Sequence, residues 1–424
     1  EGIRFNGPNE CSTFPGISRR RHACRFTRRS VKCFSIATVP VARRHGIPGV
    51  SPEVGARGRF PKSSERMASV CFYFQVHQPY RLRRYSVFDV DRDYFDDVKN
   101  AELCRLIAER CYLPANRMML DTIRRHDGRF RVSFCITGMA LDQFDRYCPQ
   151  VIESFQQLAA TGCVEFLSET YYHSLAFLYS RDEFRSQVEL HRKKIKQLFG
   201  QESRVFRNTE LIYNNDLAHF VSHMGYDGVL AEGADQILGH RSPNYVYRPT
   251  HASRIKLLLK NYRLSDDIAF RFSNRAWEQW PLTAEKFAQW VNQINGHGFG
   301  CNLFMDYEVF GEHQRAETGI FDFLHHLPNE ILKQSDNGFV TPSQAIDRFE
   351  VAGEIDVPNM TSWADTERDL SAWLGNAMQS NALHGSRGRA AERRRESFCQ
   401  CRERRRGLGL ARDSVGSDPG TQCT

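Results

Sequence analysis

From Met67 onward, short apolar runs alternate with longer amphipathic stretches. Seven runs stand out: SVCFYFQV (69–76), RFRVSFCIT (129–137), CVEFLSE (163–169), RVFRNTELI (204–212), GVLAE (228–232), IKLLLKN (255–261) and CNLFMD (301–306). Several are apolar almost throughout, as in strands covered on both faces. The stretches between them carry helix signals. Ser180-Arg-Asp-Glu183 forms a capping box ahead of a helix that closes on Gly200. Thr341-Pro-Ser-Gln344 repeats the box with proline at the first helical position. Residues 216–225 and 284–296 read as further helices.

Strands alternating with helices predict an α/β fold, either a barrel or a doubly wound sheet. The runs end alike, in His77, Thr137, Glu169, Glu210, Glu232, Asn261 and Asp306. A barrel gathers all carboxyl ends of its strands on one face, so seven polar ends favour the barrel.

Charge divides the chain. Residues 1–66 carry a net +10 and residues 386–424 a net +5, so the whole-chain +8 leaves −7 for residues 67–385. Both ends lack hydrophobic periodicity and read as a disordered or non-native leader and tail. Arg-rich ends alone would suit a nucleic-acid binder, but an acidic middle does not, so no nucleic-acid partner is expected. Six of the 13 cysteines lie in these ends. Cys71, Cys135, Cys163 and Cys301 sit within apolar runs, as buried reduced thiols do. Residues 33–42 are too short and too broken by proline to span a membrane. A cytoplasmic protein without a membrane partner is the expectation.

Two acids carry the candidate chemistry. Glu210, alone, is as readily a loop acid paired with Arg207. Asp306, ending a different apolar run, changes that balance. Two carboxylates at one cleft suit glycosidic bond cleavage, one attacking the sugar carbon and the other protonating the departing oxygen. Spacing alone leaves this as one option among several. Aromatic and amide groups suited to sugars stand nearby in His77-Gln78-Pro79-Tyr80, Tyr171-Tyr172-His173, Tyr213-Asn214-Asn215 and Trp363. Trp290, inside an amphipathic helix, reads as core, and Glu308 as a structural acid. A rival is a metal-dependent hydrolase of the carbohydrate deacetylase type, resting on His219 and His223 one helical turn apart. Phe220 stands where H-E-x-x-H needs its acid, so no metal is expected. A catalytically silent glucan-binding barrel is a third possibility.

Five segments in order resemble glycoside hydrolase family 57, in its α-amylase-like branch: HQP (77–79), GCVEFLSETYYH (162–173), RNTELI (207–212), FMDYEVFGEH (304–313) and WADTERDLSAWLGNAMQ (363–379). The resemblance spans roughly residues 69–382 and implies an incomplete (β/α)7 barrel followed by a helical region. By the resemblance, residues 67–345 form the barrel and residues 346–385 begin the helical region, which is expected to be cut short. It also implies retaining hydrolysis or transfer of α-glucan or maltooligosaccharide, without a cofactor. Carried over, Glu210 is the nucleophile and Asp306 the general acid/base. His77 and Glu165 would hold sugar, with Trp373 a neighbour; Gln78 joins them as an amide suited to sugar hydroxyls, and Glu169, His173 and Asp267 by their position near the motifs. Arg207 and Phe304 depart from family members that carry Trp and His there.

Overall fold

The computed structural model describes residues 68–385, except 87, 92, 252, 253, 365 and 383. The basic leader and tail expected from the sequence lie outside the described residues. Ten strands appear among those described: β1 Ser69–Val76, β2 Val132–Ile136, β3 Val164–Phe166, β4 Val205–Arg207, β5 Gly228–Glu232, β6 Val246–Pro249, β7 Lys256–Lys260, β8 Gly300–Asp306, β9 Gly338–Phe339 and β10 Val351–Ile355. One sheet runs β3-β2-β1-β8 with β9 beside the start of β1, and the other runs β10-β6-β7-β5-β4. All pairings are parallel except β6 with β7. The fold is therefore α/β with predominantly parallel sheets.

Backbone hydrogen bonds link the two sheets at both ends. Past β3, Ser168 donates to Val205 of β4 and accepts from Arg207, at 3.1 and 2.9 Å. At the other end, the Asn261 amide after β7 donates to Asn302 of β8 at 2.9 Å. The alternation of side chains along each strand then sorts the core into layers. Cys71, Tyr73, Cys135, Val205, Leu258 and Phe304, from both sheets, meet in one buried interior cluster. Their neighbours Phe72, Phe74 and Phe134 point the other way, into helices on the outside. This two-sided burial explains why the strand sequences read as continuous apolar runs rather than alternating ones.

The expected caps form in part. Ser180 accepts from the Glu183 amide at 3.2 Å to start helix Arg181–Phe199, which ends at Gly200 with φ 70°. The Thr341 box is complete, with both reciprocal bonds present at helix Pro342–Arg348. One helical segment departs from regular geometry. Between helices Asp97–Ile107 and Leu113–Arg125 lies a π-helical turn, Ala108–Tyr112. Pro114 has no N–H to offer the Arg110 carbonyl four residues back, so the helix widens there. The freed carbonyl faces Gly311, where a Cβ would come within 2.0 Å of it. Gly311 has φ 112°, so the turn after the fourth motif rests on backbone that only glycine fits well.

Residues 346–385, expected to open a helical region, contribute a strand first. β10 pairs with β6, and its alternating exposure marks it as an edge. Among the described residues no helix is long and apolar enough to cross a membrane.

Candidate active site

The carboxyl ends of β1, β3, β4 and β8 deliver His77, Glu169, Glu210 and Asp306 to one place. Register sets the depth of each group: Gln75 of β1 is level with Asp306 of β8. Glu210 follows β4 in a left-handed conformation, φ 56° and ψ 27°, and His173 has φ 52°. Non-glycine residues hold such conformations when surrounding bonds over-determine them, and such strain clusters at functional sites. Here the bonds are visible. The Glu210 carbonyl accepts from the Ser362 hydroxyl at 2.9 Å and the Trp363 amide at 3.2 Å.

The Glu210 carboxylate is held at both oxygens. His173 Nε2 donates to Oε1 at 2.7 Å, and Trp363 Nε1 donates to Oε2 at 2.8 Å. On its other side, the His173 ring donates from Nδ1 to Glu169 Oε2 at 3.2 Å. Glu169 is fully buried and also accepts from Gln75 Nε2 at 2.9 Å, with Arg207 3.6 Å away. A charged imidazole thus stands between two carboxylates. Burial works against that charge, but the bonds to Glu169 and Glu210 outweigh it and raise His173 to about 9. Burial would likewise raise both acids, yet the His173 bond and charge hold Glu169 and Glu210 at about 2. His77 stacks on this ring at 4.1 Å, and burial together with the His173 charge keeps it neutral, down to about 3.

Asp306 has the opposite environment. Burial, then the nearby Glu210 charge, raise its proton affinity above the ordinary carboxylate range. Among the described residues its carboxylate has no hydrogen-bond partner, and it lines a cleft of about 510 Å³ shared with Trp363, Phe304, Asp266, Lys260 and Arg368. The Glu210 side chain, 21% exposed, remains accessible beside it. Glu308, two residues on, is buried and accepts from the Tyr112 hydroxyl and from the His77 amide at 3.3 Å. Burial and the Asp306 charge raise it to about 8.

The structure thus brings Glu210, Asp306, His77, Glu169 and His173 together. Gln78 lies near, but its amide is occupied by Tyr112 at 2.9 Å and Arg81 at 3.1 Å. Glu165 lies one layer deeper, level with Ser133 and Tyr73, and accepts from the Ser343 amide at 2.9 Å at the start of helix Pro342–Arg348. Asp267 bonds to Arg271 at 2.6 Å, while its neighbour Asp266 lines the cleft, because consecutive helical side chains diverge. Trp373, in the short helix Ser371–Leu374, is not among the cleft residues; Trp363, opening the same motif, is. His219 and His223 lie on one helix, with His223 bonded to the His219 carbonyl at 2.8 Å, and no group of three potential metal ligands occurs among the described residues.

Sequence reasoning named Glu232 alone of one charged group and missed its partners. Lys260 lies 3.5 Å from buried Glu232 and 3.2 Å from Asp266, while Arg368 reaches both acids at 3.3 Å. Two cations and two acids tie the segment after Trp363 to the ends of β5 and β7. Glu232 as a polar strand end was the available signal; its partners lie up to 136 residues away.

Two carboxylates of opposed proton affinity thus stand at the carboxyl ends of parallel strands, Asp306 lining the cleft and Glu210 beside it. The chain belongs to glycosyl hydrolase family 57, whose model matches residues 71–358. It is 46% identical over 320 residues to a Methanocaldococcus jannaschii protein named "Putative alpha-amylase", covering 73% of this chain and 66% of that one. Two solved structures share the fold. A branching enzyme from Thermococcus kodakaraensis has TM-score 0.58 at 14% identity, covering 75% of this chain and 77% of that one. The 4-alpha-glucanotransferase from Thermococcus litoralis has TM-score 0.54 at 15% identity, covering 70% and 43%. The chain thus spans under two thirds of the first relatives' length in each of the amylase and glucanotransferase comparisons.

Proposed function

We propose that this chain cleaves internal α-1,4-glucan bonds with retention, by double displacement through Glu210 and Asp306. The observation that carries the reading is the split between the two acids: Glu210 is held ionised while Asp306 is driven toward its protonated form. In the first step Glu210 attacks the anomeric carbon, and Asp306 gives its proton to the departing glycosidic oxygen. The glucosyl ester on Glu210 is then opened by water, whose proton returns to Asp306. Each Glu210 oxygen accepts only one bond from His173 or Trp363, so a lone pair stays free for attack. Neither ring nitrogen of His173 is left for sugar, so His173 and Glu169 position the nucleophile. His77 and the rim residue Phe270, 68% exposed, are placed to meet the substrate.

The name of the Methanocaldococcus relative supports an α-glucan as substrate. Transfer of the same ester to a sugar hydroxyl would use the same groups, and product profiling on amylose separates it from hydrolysis. We also infer that the two sheets form one incomplete (β/α)7 barrel, supported by the hydrogen bonds at both seams and by the shared interior cluster. The test is Asp306→Asn and Glu210→Gln. Each is expected to lower turnover of amylose by at least about 100-fold with the fold retained. Rates like those of the parent chain in either variant refute the assignment.

A further inference from the structure

The fully buried thiols of Cys104 and Cys148 face one another with Sγ atoms 2.9 Å apart. A disulfide needs about 2.05 Å, so less than 1 Å of movement separates the pair from a bond. Cys104 lies in the last two turns of helix Asp97–Ile107, and Cys148 caps the end of helix Gly138–Tyr147. Each helix grips the loop that follows β1. Asn100 of the first accepts from the Arg81 amide at 2.7 Å and donates to its carbonyl at 3.3 Å. Gln143 of the second donates to the Gln78 carbonyl at 2.6 Å. A bond between the sulfurs would clamp together the two helices that hold the His77 loop.

We propose that Cys104 and Cys148 are a disulfide-forming pair, closed by exchange with a small-molecule disulfide. The Cys104 thiolate attacks one sulfur of the oxidant, releasing one equivalent of its thiol and leaving a mixed disulfide on Cys104. The Cys148 thiolate then attacks the Cys104 sulfur and expels the second equivalent. Both cysteine protons pass to the two released thiols, the protein pair is oxidised, and the oxidant is reduced. Either sulfur can donate in this contact; a bond from the Cys148 thiol favours the Cys104 thiolate, burial opposes it, and the Arg81 and Arg105 charges favour it. Because both sulfurs are buried, exchange takes place while the chain folds or when helix Asp97–Ile107 lifts. The pairing does not depend on the glycosidase reading.

The experiment refolds the full chain with oxidised and reduced glutathione, or with a strong reductant, and alkylates the remaining thiols. Peptide mass mapping is expected to find a fragment joining Cys104 to Cys148 in the first sample only. The link closes a loop of more than 40 residues, so the crosslinked chain should melt about 5 °C or more above the reduced one. Cys104→Ser and Cys148→Ser should each abolish both the joined fragment and the reductant-dependent shift. Full alkylation of both cysteines after oxidative refolding overturns the proposal, as does pairing of either one with a different cysteine. A shift that persists in both serine variants also counts against it, since another pair would then be responsible.

Discussion

Glu210 owes its charge to His173, and His173 owes its charge to Glu169. Removing the middle member should therefore act on the ionisation of Glu210. Arg207 also favours ionised Glu210, whereas burial and the Asp306 charge oppose it, and His77 is held neutral. For His173→Asn, the acid limb of kcat/KM should move up by roughly one to two pH units. An unmoved limb, measured between pH 3 and 6, contradicts the relay. The same cluster sets a stability window. Glu169 and Glu210 are lowered from 4.5, so their contribution is complete above that value and fades as pH falls toward about 2. His173 is raised from 6.5, so its contribution is complete below that value and fades as pH rises through about 9. Stability from these three groups should peak between pH 4.5 and 6.5, and urea titrations of the parent and of His173→Asn should differ most there; His77, lowered from 6.5 to about 3, subtracts from stability as pH falls below 6.5 in both. Sequence pattern found both acids because they end apolar runs. It could not assign His173, whose two ring partners depend on how β3 and β4 lie side by side.

Gly311 and Glu165 connect elements rather than chemistry. Gly311→Ala would place a methyl group against the Arg110 carbonyl at a φ that alanine resists, costing at least about 2 kcal/mol in urea unfolding. Glu165→Ala removes the partner of the Ser343 amide at a helix start, for about 1–3 kcal/mol. Its KM for maltooligosaccharide should stay unchanged; a raised KM with unchanged stability would return Glu165 to the sugar site. The seven strands expected from apolar runs all form, some shortened, because their burial on both faces is written directly in composition. β6, β9 and β10 escaped notice. β9 is two residues long, β10 alternates at an edge, and β6 carries Arg248 and ends in Pro249, so none shows an apolar run. The π-helical turn had a signal in Pro114, but only the nearby Gly311 backbone gives it a purpose.

At the scale of the molecule, strand ends, seams and the segment after Trp363 converge on one cleft. Order along the sequence located all five groups that the site brings together, whereas the closure of Lys260, Glu232, Asp266 and Arg368 needed the folded chain. That ion group should hold the Trp363 segment in place. Arg368→Ala leaves Glu232 buried with less compensation, and should lower kcat/KM while destabilising the fold by about 3 kcal/mol. Loss of stability with full kcat/KM would separate the segment from catalysis. The most direct test of the central claim is mass mapping of an Asp306→Asn variant incubated with an activated α-glucosyl fluoride. Fluoride leaves without protonation, while release of the ester lacks its base, so the intermediate accumulates. The account predicts a glucosyl ester on Glu210; an ester on another carboxylate, or none while the parent chain consumes the fluoride, would contradict it.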